Sequence, residues 1–333
     1  MDWLIDEEVR EPLLVKIGYT LMTEQRAPKD LVADAQLAEK AGFDFSVISD
    51  HYHPWVTAQG HAGYAWSILG AIAQATETLP LMTYVTCPIV RYHPAVVAQM
   101  AATVQILSDG RFRLGLGAGE QLNEHVVGEG WPRVDQRHEM FVEAIEIIRE
   151  LWRGETVTYR GAHFDVEGAR LFDIPDQPIP VGVAVSGKRS CAIAGEHGDL
   201  VIAVEPKAEL ISMFGESGGA GKPAVAQTSC CYGQDEQACL ATAHELSAWS
   251  LGDWNINAEL PSFPHFESFA SNITPEQVAE KIPCGPNIEK IVEGVKAFVD
   301  VGFTEVAITQ IGPDQAAFCE VFERELGPEL RKL

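Results

Sequence analysis

Eight times along this chain a short apolar, β-branched run gives way to a stretch with helical spacing, and that alternation constrains the fold more than any other feature. The runs lie at Leu14 to Leu21, Phe45 to Ser49, Leu81 to Cys87, Phe112 to Leu116, Ile179 to Val185, Leu200 to Val204, Val225 to Cys231 and Val306 to Ile311. Helical patterns follow at Pro28 to Ala41, Tyr64 to Ala75, Pro94 to Leu107, His138 to Trp152, Lys188 to Glu196, Ala208 to Phe214, Asp235 to Trp249 and Ile288 to Val301, with a closing helix from Gln315 to Leu326. Continuous apolar runs suit parallel strands buried on both faces, so the pattern predicts an α/β fold, a (β/α)8 TIM barrel, rather than an open sheet. The punctuation agrees. Pro28 opens the first helix and Gly42 ends it, His93-Pro94 opens and Asp109-Gly110 closes the third, and Asp135 is a candidate cap for the fourth.

The expected organisation is one domain spanning residues 1–333, because barrels routinely exceed ordinary domain size. Three segments are longer than barrel connections need, at 121–137, 154–177 and 251–286, and are expected as insertions over the C-terminal face of the barrel. The second alternates apolar and polar residues around Gly161 and predicts a small hairpin. The third is rich in aromatic residues and proline (Trp254, Phe263, Pro264, Phe266, Phe269) and is expected to cover the barrel mouth.

Charge narrows the partners. A formal net charge of −24 repels nucleic acid and anionic membranes, since binding either needs clustered Lys and Arg. No run of eighteen apolar residues offers a membrane span, and the acidic opening Met1-Asp-Trp-Leu-Ile-Asp-Glu-Glu8 lacks the basic region of a signal peptide, so the expected location is cytoplasmic. Seven scattered cysteines make no disulfide framework, and no Cys-x-x-Cys or His-x-x-x-His pairing offers a metal cage.

In a (β/α)8 barrel the chemistry sits at the C-terminal strand ends. The polar residues there are Glu24 after the first run, Asp50, His51 and Trp55 after the second, Cys87 and Arg91 after the third, and Glu120 and Asn123 after the glycine-rich turn Gly115-x-Gly117-x-Gly119. Ser186-Gly187-Lys188 follows the fifth run and Lys207 the sixth. The glycines are not spaced as Gly-x-Gly-x-x-Gly, which argues against a nicotinamide dinucleotide site. His53, His61, His93 and His138 read as structural or surface residues.

These motifs carry a specific resemblance. Gly18-Tyr19 with Glu24-Gln25, Ser49-Asp50-His51 with Pro54-Trp55, Arg91-Tyr-His-Pro94, Gly119-Glu120-x-Leu122-Asn123-Glu124 and Glu150-Leu-Trp152-Arg-Gly154 occur in order. The chain so resembles the luciferase-like superfamily, and within it the glucose-6-phosphate dehydrogenase family that uses the deazaflavin coenzyme F420. The resemblance implies that His51 is the acid/base group for the substrate hydroxyl, with Glu24 the alternative base. It implies that Trp55 lines the substrate cavity and that Glu120 serves the proton on the reduced deazaflavin. Asp50, Asn123, Gly119, Cys87 and the Tyr84-Val85 segment, expected to hold a cis peptide, would contact the cofactor. Ser186, Gly187 and Lys188 would hold its phosphate, Lys188 offsetting the chain's negative charge.

Sugar-phosphate members of that family bind the phosphate with cations from three places. Lys207 and Lys281 match two of them, but the late insertion has Glu259-Leu260-Pro261-Ser262 where a Lys is wanted. An unphosphorylated sugar, hemiacetal or secondary alcohol is therefore as much an expected substrate as glucose 6-phosphate. The resemblance also implies a homodimer, and coenzyme F420 in preference to FMN. The other readings are a flavin-dependent luciferase-like monooxygenase and a non-catalytic deazaflavin-binding barrel.

Overall fold

The computed structural model describes residues 15–333, so Leu14 and the acidic opening segment lie outside the described residues. The strands are β1 (Lys16–Leu21), β2 (Phe45–Ile48), β3 (Leu81–Thr83), β4 (Phe112–Leu116), β5 (Val157–Arg160), β6 (Asp165–Ala169), β7 (Val181–Ala184), β8 (Leu200–Ala203), β9 (Ala224–Cys230) and β10 (Glu305–Gln310). All but β5 and β6 close into a barrel in the order β1-β10-β9-β8-β7-β4-β3-β2, each adjacent pair parallel. The predicted (β/α)8 barrel is the observed one.

Alternation along each strand sorts side chains between two layers. Phe45, Val47, Met82, Leu200, Ile202, Val225 and Ala307 fill the barrel interior, while the larger apolar set packs between strands and outer helices. At its N-terminal end the interior is closed by polar groups. Arg113 pairs with the buried Glu305 at 2.7 Å and lies over the Phe45 ring, and Lys16 reaches the same carboxylate at 3.5 Å. The outer helices relevant below are α1 (Pro28–Ala41), α2 (Ala65–Ala75) and α3 (Pro94–Leu107). Gly42 takes positive φ at the end of α1, and Asp109-Gly110 does so just past α3, as the turn chemistry predicts.

Three expectations change. The fourth outer helix starts at Val134 with Arg133 at its N-cap, so Asp135 lies inside the first turn and pairs with Arg189 at 2.9 Å instead of capping. β3 ends at Thr83, whose hydroxyl and the neighbouring Gly115 backbone exchange hydrogen bonds, and ladder pairing resumes only at Thr86. The predicted hairpin is present as β5-β6, but it packs on the flank of helix Val134–Leu151: Glu143 accepts the N–H groups of His163 and Phe164, and Tyr159 donates to Glu146. It joins a helix end to the start of β7, a connection that runs at the N-terminal side of a barrel, away from the mouth.

The 251–286 segment forms short helices at Trp254–Asn257, Phe263–Ala270 and Pro275–Ala279. Helix Glu236–Ser247 joins it through a small separate core of Cys231, Cys239, Val278, Ile282 and Cys284.

The tightest packing constraint in the barrel is Gly115. A Cβ there would lie 1.9 Å from the Thr83 carbonyl oxygen, between two strands that cannot part without losing their ladder. Gly115→Ala is expected to destabilise the protein by about 1–3 kcal/mol, as overpacking does, or to prevent folding. Urea unfolding of the variant against the parent chain checks this.

Candidate active site

Polar side chains from the ends of β1, β2 and β4 converge on one imidazole. His51, three residues past β2, directs Nδ1 onto Glu24 Oε1 in direct contact and Nε2 toward Glu120 Oε1 at 3.6 Å. Glu24, three residues past β1, is buried, and its second oxygen accepts from Ser49 Oγ at 2.6 Å and Thr23 Oγ1 at 3.4 Å. Glu120, four residues past β4, retains 12% side-chain exposure. The imidazole thus lies between a sealed carboxylate and one that opens to the mouth.

Burial alone would depress the His51 pKa. The Glu24 charge, its hydrogen bond and the charge of Glu120 outweigh that and lift it to about 9, against some opposition from Arg91. Glu24 responds reciprocally. Burial opposes its ionisation, but His51 and Ser49 more than offset this and hold its pKa below the usual carboxylate range.

Asp50 and Asn123 fix this geometry. The Asp50 carboxylate is buried and accepts four side-chain donors: Trp66 Nε1 at 3.1 Å and Thr86 Oγ1 at 2.7 Å on one oxygen, Arg91 and Tyr92, both at 3.1 Å, on the other. Arg91 also donates to the Asp50 carbonyl at 2.7 Å. The Asp50 carboxylate thereby braces the turn that carries His51.

Asn123 accepts the N–H groups of Tyr52 and His53 on Oδ1 at 2.7 and 2.8 Å, and its Nδ2 donates to Glu120 Oε1 at 2.8 Å. It ties the turn after His51 to Glu120. Glu124 accepts the Arg91 N–H at 2.8 Å and faces its guanidinium at 3.4 Å. Burial pushes its pKa up to about 7 despite Arg91. Arg91 and Glu124 stand in the quoted motifs, but their roles were not assigned from sequence. A buried Arg between two acids is the signal that would have found them.

The Tyr84-Val85 peptide is cis, as the resemblance implied. Both residues are half-buried and pack against the barrel-interior cluster, giving the interior a partly open apolar floor. Tyr84 donates to the Ala203 carbonyl at 3.0 Å. Cys87 is buried beneath Gly119, whose φ is +77° and where a Cβ would fall 2.5 Å from Cys87 Sγ. Burial pushes the Cys87 thiol well up, so it is no nucleophile.

Trp55 meets His51 edge-on at 4.9 Å and stacks on Trp249 at 4.2 Å, with Phe266 at 5.1 Å and Trp254 at 6.4 Å. The aromatic segment therefore does close on the site.

The two expected groups of cations follow the C-terminal ends of β7, β8 and β9. Ser186 and Gly187 donate their N–H groups to Ser190 Oγ at 3.1 and 3.2 Å, and the exposed Lys188 begins helix Lys188–His197. Lys207 is exposed and paired with Glu205 at 2.8 Å. Lys281 is also exposed, two residues before Pro283, whose carbonyl bonds to Cys231 at the end of β9.

A closed barrel with a buried acid/base pair at the C-terminal strand ends is the arrangement of a barrel enzyme. Residues 13–305 match the luciferase-like monooxygenase family. An F420-dependent glucose-6-phosphate dehydrogenase of Beutenbergia cavernae is 35% identical over 331 residues, 96% of this chain and 98% of that one. One from Rhodococcus erythropolis is 35% identical over 334 residues, 96% and 98% of the two chains. The solved structure of an F420-dependent secondary alcohol dehydrogenase in complex with an F420-acetone adduct gives a TM-score of 0.88 at 28% identity, covering 95% of this chain and 99% of that one. The chain belongs to the luciferase-like family, in the branch of the F420-dependent glucose-6-phosphate dehydrogenases.

If the Glu24 carboxylate is what keeps His51 basic, Glu24→Gln should lower its pKa from about 9 toward the ordinary 6.5. The sign is set by charge removal: a histidine losing its anionic partner gives up its proton at lower pH. The acidic limb of the pH–rate profile for alcohol oxidation, where protonation disables the base, or the imidazole titration followed by NMR, should move down accordingly.

Proposed function

We propose that this chain is a coenzyme F420-dependent dehydrogenase acting on a CH–OH group. The single observation that carries the reading is the Glu24-His51-Glu120 alignment, which can take a proton from a hydroxyl and pass it to or from a second carboxylate. The residues present fit the cofactor. The half-buried Tyr84-Val85 floor suits a flat ring, and Lys188 with the free N–H groups of a helix start suits a phosphate. When bound, the deazaflavin supplies the hydride acceptor at C5.

The protein's part is proton management and positioning. His51 Nε2 receives the hydroxyl proton as the carbon gives up hydride, and Glu24, fixed by Ser49 and Thr23, stabilises the resulting imidazolium. Glu120, held by Asn123, stands 3.6 Å from His51 Nε2 as the neighbouring proton-carrying group. Trp55 and its stacked partners exclude water from one side of the imidazole. His51→Ala should cut turnover about 10²–10⁴-fold while deazaflavin binding, followed by fluorescence titration, changes little.

The working form is a homodimer. Helices α2 and α3 pack side by side and contain no Asp, Glu, Lys or Arg, in a chain with 48 acidic and 24 basic residues. Their outer face and its approach expose Tyr64, Val96 and Ile106. Two copies of charge −24 repel over most of their surfaces, so an uncharged face is where self-association meets least opposition. Ile106→Lys, which places a charge in that face, is expected to shift the protein to monomer in analytical ultracentrifugation.

Among the described residues no helix is long and apolar enough to cross a membrane. The seven cysteines are buried and unpaired, which supports a reducing, cytoplasmic setting.

A further inference from the structure

We infer that the substrate space between His51 and the 251–286 segment takes an uncharged secondary alcohol or hemiacetal and disfavours a phosphorylated sugar. This inference rests on the dehydrogenase reading above and adds the class of alcohol.

The wall nearest the imidazole is aromatic. Trp55 is buried in a stack with Trp249, and Phe266 and Trp254 meet it edge-on. Beyond it the rim carries apolar groups left in solvent, Val204 at the end of β8 at 53% exposure and Ile256 at 61%. Such a lining rewards an apolar or neutral substituent and gives a phosphate nothing to bind.

Two basic side chains come close to this wall, and both are already committed. Arg137 has 4% side-chain exposure, lies over the Trp131 ring at 4.2 Å, and donates to the Pro132 carbonyl at 2.8 Å and to Glu259 Oε1 at 2.6 Å. Trp131 Nε1 holds the other Glu259 oxygen at 3.0 Å. The neighbouring Ala258 carbonyl accepts the Gln121 N–H at 2.9 Å, so this cluster abuts the residue after Glu120. Its guanidinium serves to latch two insertions together and is unavailable to an incoming anion.

Lys207 is likewise paired with Glu205 at 2.8 Å, with the negative charges of Asp253 and Glu209 also acting on it. Residues 251–286 carry five acids, Asp253, Glu259, Glu267, Glu276 and Glu280, against one Lys, the exposed Lys281. A phosphate dianion is held by several charge-assisted donors acting together. Here it would meet one uncommitted ammonium and a rim of carboxylates, whereas a neutral alcohol pays no such electrostatic penalty.

The test is deazaflavin reduction by the full-length chain with propan-2-ol, cyclohexanol, glucose and glucose 6-phosphate, with inorganic phosphate added as a competitor. The expected result is a kcat/KM for the best neutral alcohol at least about tenfold above that for glucose 6-phosphate, the scale of one lost charge-assisted contact. Added phosphate should leave the rate with the neutral alcohol unchanged. Glu205→Gln, which releases Lys207 at the surface, should narrow the gap between neutral and phosphorylated substrates. A preference for glucose 6-phosphate, or competitive inhibition by millimolar phosphate, overturns the inference while upholding the dehydrogenase reading. Failure of every alcohol and sugar to reduce a deazaflavin that fluorescence titration shows to be bound overturns both.

Discussion

The site depends on one buried charge, the carboxylate of Asp50. It sits next to His51 in sequence and collects donors from α2 through Trp66, from the β3 extension through Thr86, and from the start of α3 through Arg91 and Tyr92. An ion taken out of water is tolerated only when its partners replace the lost hydration, and removing one partner of such a pair typically costs about 3–5 kcal/mol. Asp50 is satisfied in that sense, so the turn carrying His51 has little freedom to drift. Through Arg91 the same cluster reaches Glu124, at the end of the short helix that Glu120 begins. The two sides of the acid/base pair are therefore fixed by a single ionic core beneath them, and Asn123 adds a second tie nearer the mouth.

The charge of Glu24, its hydrogen bond and the charge of Glu120 give His51 its unusual basicity. With its pKa lifted to about 9, the imidazole of the free chain holds its proton at neutral pH. Reduction of a carbonyl would start from a site already loaded with its proton. Oxidation of an alcohol would start from the scarcer form, unless cofactor and substrate binding change the balance. Glu24 makes the imidazolium easy to form and hard to discharge, while Glu120, more exposed and slightly farther off, offers the proton a route toward the mouth. The sealed carboxylate on one side of the imidazole and the open one on the other make the two sides of the site unequal.

The barrel was legible because strand and helix periods are local. β4 and the helices at 28–41, 94–107 and 208–214 coincide with their sequence ranges, each bounded by Pro, Gly or polar punctuation. His51, Glu24, Glu120 and Trp55 could be nominated because each lies just past a strand, where barrel chemistry gathers. The role of Asp50 could not be read in the same way. Its donors stand between 16 and 42 residues away, and nothing at Asp50 itself distinguishes a ring-binding carboxylate from a bracing one. Lys207 is read from spacing alone, which places an ammonium near the mouth but cannot show its ion pair with Glu205. The placement of the hairpin turned on connection order, since a segment between a helix and the next strand belongs to the opposite end of the barrel from the site.

Chemistry and specificity are carried by different arcs of the barrel. β1, β2 and β4, with the β3 extension between them, deliver Glu24, His51 and Glu120 and the ionic core that holds them. The facing side comes from the end of β8 and from the long excursion between β9 and β10, which touches the acid/base arc through the Trp55 stack, the Gln121–Ala258 hydrogen bond and the hydrogen bonds of Thr57 and Gln59 to Glu267 and Leu246. None of the side-chain partners of Asp50 comes from that excursion. In this chain Glu259 holds both Arg137 and Trp131, so a single carboxylate of the excursion fastens it to the segment that follows Glu120.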